Sequence, residues 1–95
     1  MNEVLESKIK MLPTSPGVYV MLDKNGQIIY VGKAKVLKNR VKQYFYSTQK
    51  PEKVAAMVSN IADFYYIITE SEIDALSLEN NLIKKHKPRY NILLK

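Results

Sequence analysis

The chain contains no cysteine, which removes disulfides, thiolate nucleophiles and cysteine-ligated zinc together and suits a reducing compartment. Its one histidine is His86, so any metal must be held by oxygen or by that single ring. No apolar run approaches the roughly 20 residues of a membrane-spanning helix, and the opening Met1-Asn2-Glu3 lacks the basic-then-apolar order of a secretory leader. These absences predict a cytoplasmic chain with no membrane partner. Internal repeats and low-complexity tracts are missing as well, and 95 residues build one modest core and not two. One domain spanning 1–95, with one site and a monomeric state, is the expectation.

Acids are unevenly absent. None occurs between Asp23 and Glu52, while Lys33, Lys35, Lys38, Arg40 and Lys42 crowd that segment. A second basic cluster, Lys84, Lys85, Lys87 and Arg89, follows the last acid, Glu79. Within a net charge of +6, such clusters are the electrostatic footprint of a phosphate-backbone partner, and these nine positions are the candidate nucleic-acid contacts. A solvated basic face with no ligand is the plainer alternative.

Periodicity supplies the elements. Asn2 to Leu12 places Leu5, Ile9 and Leu12 on one helical stripe that ends before Pro13 and Pro16-Gly17. Residues 17–23 and 27–32 are rich in Val, Ile and Tyr around Asn25-Gly26, a strong hairpin signal with two or four loop residues. Helices are expected from Lys35 to Tyr46, carrying Leu37, Val41, Tyr44 and Phe45, and after Pro51, carrying Val54, Met57, Val58 and Ile61. Residues 63–69, "DFYYIIT", read as a third strand. Ser71 to Asp74 resembles a capping box opening a helix to His86, which Pro88 stops, and "RYNIL" at 89–93 reads as a short strand. The fold class is therefore α+β: a small, mostly antiparallel three-stranded sheet, hairpin plus a later strand, flanked by helices.

In that hairpin, pairing Asp23 with Ile28, Met21 with Tyr30 and Tyr19 with Gly32 puts Tyr19 and Tyr30 on one face. Val18, Val20, Leu22, Ile29 and Val31 form the other, expected to be the core side. Gly32 leaves room opposite Tyr19 for a small ligand, with Lys33 at the rim; equally, both tyrosines could simply be good strand formers. Val36, Arg40 and Tyr44 lie at i, i+4, i+8, setting Arg40 at the border of an apolar stripe, where it can clamp phosphate or snorkel into solvent. Glu79 has Ala75, Leu76, Leu82 and Ile83 at its helical neighbour positions, so a carboxylate is expected at the centre of an apolar face. Pairing with Arg40 or a tyrosine hydroxyl would offset that burial, and so would a divalent cation, for which oxygen suits Mg²⁺ or Mn²⁺. His86 fits better as a cation closing its helix than as a ligand.

"GVY" at 17–19, "YVG" at 30–32, Arg40 and Glu79, in that order, resemble the GIY-YIG nuclease superfamily. Within it, "LPTSPGVYVMLDKNGQIIYVGKAKVLKNRVKQYF" and "LENNLIKKHKPRYNILLK" are similar to the N-terminal nuclease domain of the UvrC family of bacterial excision repair. The resemblance covers the chain from about Leu12 onward; Val18 and Val31 stand where the motif's name has isoleucine. It implies a divalent-metal-dependent endodeoxyribonuclease that incises damaged duplex DNA on the 3′ side of a lesion, using one Mg²⁺ or Mn²⁺ ion. It also implies that Glu79 is the sole protein ligand to the metal, that Arg40 and Lys33 stabilise the phosphate, that Tyr19 and Tyr30 position water and phosphate with Tyr30 as a candidate base, and that Tyr44 and Asn91 support them. Contact with UvrB is implied through regions this chain does not contain.

Overall fold

The computed structural model describes residues 2–94. Its elements in chain order are α1 (Glu3–Lys10), β1 (Gly17–Leu22), β2 (Ile28–Ala34), α2 (Leu37–Tyr46), α3 (Glu52–Ser59), β3 (Asp63–Ile68), α4 (Glu72–His86) and α5 (Arg89–Leu93). The sheet order is β2-β1-β3, and both pairings are antiparallel, as an α+β reading requires.

Local chemistry sets the boundaries. The Asn2 side chain accepts from the Leu5 amide at the start of α1, and the Ser71 side chain accepts from the Asp74 amide at the start of α4. At the hairpin the Asp23 carboxylate accepts from the Asn25 and Gln27 amides, and the Asp23 amide donates to the Gln27 carbonyl at 3.0 Å. The loop between them is Lys24-Asn25-Gly26, a three-residue connection in place of the expected two or four, with Gly26 at φ +78° supplying the left-handed position. This turn moves the register: Leu22 faces Ile28, Met21 faces Tyr30, and Ile29 is an extra residue in a bulge. Ile29 consequently leaves the aliphatic face expected for it and packs with Tyr19 and Met21.

Both faces of β1 are buried. Tyr19 and Met21 sit in the larger core with Leu5 and Ile9 of α1, Leu37 and Val41 of α2 and Met57 of α3. On the opposite face Val18, Val20 and Val31 pack on Ala75, Leu78, Leu82 and Ile83 of α4. The aliphatic face is thus the smaller core, because "GVYVML" is the near-continuous apolar run of a central strand covered on both sides.

"RYNIL", expected as a strand, is the helix α5. Lys87 takes the left-handed conformation (φ 45°) that ends α4, and Pro88 opens the next helix with its fixed φ. The place a fourth strand would occupy, the free edge of β2, is taken by side chains.

Candidate active site

Three tyrosines converge between β1, β2 and α2. Tyr19 donates to the Tyr44 hydroxyl at 3.0 Å, and Tyr44 donates to the Tyr30 hydroxyl at 3.5 Å. The ring centroids lie 6.3 Å (Tyr19–Tyr30), 5.6 Å (Tyr19–Tyr44) and 6.1 Å (Tyr30–Tyr44) apart, so the rings also support one another by tilted and edge contacts. Tyr19 is 1 % exposed. The space opposite it, expected to admit a ligand, is filled by its own ring: a Cβ on Gly32 would lie 2.3 Å from Tyr19 Cζ. Tyr30, half-buried, carries the chain of hydroxyls to the surface.

Arg40 caps this cluster from α2. Its Nη2 donates to the Tyr44 hydroxyl at 3.4 Å, its Nη1 donates to Gln43 Oε1 at 3.2 Å, and its Cζ lies 5.1 Å from the centre of the Tyr44 ring. The guanidinium is neither snorkelling freely nor paired with a carboxylate. It is held by aromatic stacking at the mouth of the site with donors to spare. Burial raises the pKa of Tyr19, with further upward contributions from Tyr44 and Tyr30 that Arg40 only partly opposes. Tyr30 is raised by burial first, then by its hydrogen bond with Tyr44, and in smaller part by the charge of Glu79. Both are neutral hydroxyls at neutral pH.

Glu79 sits differently from its expected position. The expected buried carboxylate at the centre of an apolar face is a half-buried one at the rim. The sheet-facing stripe of α4 runs through Ala75, Leu78 and Leu82, which turns Leu76 outward to 44 % exposure and lets Glu79 reach the sheet edge. There Oε2 accepts from the backbone amide of Lys33 at 2.8 Å, so the partner is main chain and not Arg40 or a tyrosine hydroxyl. Two residues earlier on the same edge, Asn91 of α5 clasps Val31, accepting from its amide and donating to its carbonyl, each at 2.8 Å. Side chains from α4 and α5 therefore complete the free edge of β2 as a neighbouring strand would, and that pairing fixes Glu79 beside Lys33 and Tyr30.

Held through Oε2, Glu79 has its other carboxylate oxygen without a hydrogen bond or ion pair among the described residues. No group of three or more His, Cys, Asp or Glu side chains gathers among the described residues. One carboxylate oxygen at a solvent-facing rim fits Mg²⁺ or Mn²⁺, which keep several waters and take one or two protein carboxylates, and fits poorly an ion that needs a full protein cage.

The basic candidates separate into groups. Lys33, Lys35 and Arg40 flank one hollow with Asn39 and Gln43; Lys35 also lies 3.9 Å from Glu72 in an exposed pair. Lys38 and Lys42 are about 160° around α2 from Arg40, on its other flank. Lys84, Lys85 and Lys87 end α4, with Lys87 about 12 Å along the axis from Glu79, and Lys87 and Arg89 border a hollow beside the hairpin. Sequence reasoning misses Gln43 and Lys50, which line the groove at Arg40. Gln43 follows Arg40 by three residues and is accessible by helical spacing; Lys50 lies in the loop after α2, for which no periodic signal exists.

Residues 15–92 match the family model of the UvrC-like GIY-YIG domain. The chain belongs to that family. UvrABC system protein C of Clostridium botulinum is 66% identical over 92 residues, covering 96% of this chain and 15% of that protein. The Thermoanaerobacter protein of the same name is 61% identical over the same coverage. The chain thus spans about 15% of the length of the curated relatives it matches. The solved GIY-YIG N-terminal endonuclease domain of UvrC from Thermotoga maritima, bound to magnesium, superposes with a TM-score of 0.83 at 40% identity, covering 95% of this chain and 98% of that one. A variant of the Thermotoga domain with an asparagine replaced by alanine, also bound to its catalytic divalent cation, superposes equally well, with a TM-score of 0.83. In this UvrC-like GIY-YIG domain the two motif halves are the paired strands β1 and β2, and the tyrosine of each half enters the hydroxyl cluster.

Proposed function

We propose that this domain hydrolyses a phosphodiester bond of DNA with one divalent cation held at Glu79, and that within a longer protein it makes the incision 3′ to a lesion in excision repair. The observation that carries this reading is the Glu79 carboxylate, fixed through one oxygen by the Lys33 amide and near enough to Tyr30 to act on its hydroxyl, with Arg40 beside Lys33 in one hollow. It is supported by the magnesium that the Thermotoga domain binds. Mg²⁺ or Mn²⁺ bound there supplies neutralisation of phosphate charge and a more acidic water.

The chain's own groups supply the rest. Arg40, already oriented by the Tyr44 ring, donates to a non-bridging phosphate oxygen and opposes the charge that grows on it; the Lys33 ammonium does the same from the other side. Tyr30, neutral, and Tyr44 offer directed hydroxyls that hold phosphate or water in line, while buried Tyr19 holds Tyr44 in place. A Tyr30 base role demands that its raised pKa come down on assembly with DNA and cation; positioning demands nothing further. Asn91 acts through Val31, keeping the β2 edge and hence Lys33 in register. Base edges are not read by any of these groups, so lesion choice and docking to a UvrB-type partner belong to segments of the relatives outside this chain.

The test is nicking of plasmid DNA with and without Mg²⁺ by the wild-type domain and by Glu79→Gln. That substitution keeps an acceptor for the Lys33 amide and removes the charge. Metal-dependent nicking that disappears in a variant with unchanged circular dichroism supports the proposal. Wild-type nicking by Glu79→Gln overturns it.

A further inference from the structure

Two hollows lie along the exposed flank of α2, sharing Arg40 and Gln43, and Tyr44 of the tyrosine cluster lines one of them. At the first end of α2 Lys33, Lys35 and Asn39 line a hollow of about 380 Å³, which Arg40 and Gln43 close. The same Arg40 and Gln43 open a second hollow of about 350 Å³ on the far side, walled by Ser47, Gln49, Lys50 and Val54. Asn39, Arg40, Gln43 and Ser47 fall on one side of the helix, so the floor runs about 12 Å along α2 at 1.5 Å per residue. No aspartate or glutamate lines either hollow.

We propose that these hollows form one groove, the bed of a single DNA strand, and that the second hollow takes a nucleotide flanking the one whose phosphate is cut. Lys50 and Gln49 face its phosphate, and Val54 with Pro51 forms the apolar wall for its sugar and base. This rests on the nuclease reading and deepens it. The volume suits one nucleotide, since pockets for small ligands begin at about 300 Å³. Its mixed lining, a cation and amides on one side and aliphatic groups on the other, matches the two halves of a nucleotide. Arg40 stands between the hollows, so a strand lying in both must pass its phosphate over the guanidinium and the tyrosine hydroxyls beneath it. Lys50 now donates to the Ser47 carbonyl at 2.5 Å, a contact that also closes the end of α2. The ammonium has further donors for a phosphate oxygen without giving up that bond.

Three variants, each lowering the charge by one, separate the groove from general electrostatics: Lys50→Gln, Gln49→Glu and, at an exposed position of α1, Lys10→Gln. Binding of a short labelled single-stranded oligodeoxynucleotide is followed by fluorescence anisotropy, without divalent cation, across a salt series. Lys50→Gln should weaken binding about five- to ten-fold and reduce the salt slope by about 0.7, the value of one phosphate contact on a single strand. Gln49→Glu, which leaves the Lys50–Ser47 bond intact, should weaken it comparably, and Lys10→Gln by less than about two-fold. Equal losses in all three variants, or no loss in Gln49→Glu, would overturn the proposal. Because the titration contains no divalent cation, it is independent of cleavage: wild-type nicking by Glu79→Gln removes the nuclease reading and leaves the groove, and unaffected binding in the groove variants removes the groove alone.

Discussion

Replacing Tyr44 by phenylalanine deletes one oxygen that three groups share. Tyr19 donates to it at 3.0 Å, Arg40 at 3.4 Å, and it donates to Tyr30 at 3.5 Å. The longer two contacts end on half-buried or exposed groups that water can satisfy. Tyr19 cannot be rescued so, because it is 1 % exposed and its hydroxyl makes no other hydrogen bond among the described residues. Leaving that buried hydroxyl unpaired costs about 1–3 kcal/mol, whereas removing both partners of a buried bond is close to neutral. Tyr44→Phe should therefore lower stability by about 2 kcal/mol, a shift of roughly 1–2 M in the urea midpoint at the slopes of small domains. Tyr19→Phe should cost about 1 kcal/mol or less, since Tyr44 keeps Tyr30 and Arg40. The double variant should be more stable than Tyr44→Phe alone. Urea unfolding followed by circular dichroism on the four proteins completes the cycle. A double variant destabilised by the sum of the two singles would refute the hub role of Tyr44.

Gly32→Ala forces a methyl to within 2.3 Å of Tyr19 Cζ and Oη, on a ring too deeply packed to swing away; a loss of about 1–3 kcal/mol and altered near-ultraviolet dichroism are expected, and a neutral effect would contradict the packing. Asn91→Ala leaves both Val31 backbone groups unpaired and should cost about 1–3 kcal/mol, or about 4–8 °C in Tm per kcal/mol. Asn91→Asp keeps only the acceptor and should recover no more than half of the loss, read by thermal unfolding. The Asp63 carboxyl is held below its usual range chiefly by its hydrogen bond from Lys8. A depressed native pKa gives stability that is complete above the unfolded value, near 4, and is lost as pH falls through the native one. The wild type should thus lose stability on acidification below about pH 5 more steeply than Asp63→Asn, modestly because the pair is partly exposed, and parallel pH profiles would contradict this.

Features governed by period and capping are legible in the sequence: the β1–β2 hairpin, the shared face of Tyr19 and Tyr30, the Arg40–Tyr44 spacing and the Ser71 cap all come from contacts within a few residues. The bulge at Ile29 is not, because Asn25-Gly26 is compatible with several loop lengths and the Asp23 side chain selects among them. Glu79 stands out in the sequence as the uncomfortable residue, for a reason that is half right. Its neighbours on α4 are apolar, yet the rotation of that helix is set by Val18, Val20 and Val31 on the sheet, which brings Ala75, Leu78 and Leu82 inward and leaves Glu79 at the edge. Residues 89–93 read as a strand because their side chains suit one. What decides is the left-handed Lys87, Pro88 after it, and a sheet edge already paired by Asn91 and Glu79. Such long-range pairing, sixty residues apart for Asn91 and Val31, leaves no trace in local pattern.

Binding of one divalent cation at Glu79, beside Lys33 and Tyr30, is open to direct measurement. Crystals of the domain equilibrated with millimolar Mn²⁺ test it through anomalous scattering. A single peak about 2.1 Å from a Glu79 carboxylate oxygen, with Lys33 still donating to the other, is the predicted result. A site with no peak, or a peak bound elsewhere with Glu79 paired to Arg40, would rule out cation binding by Glu79.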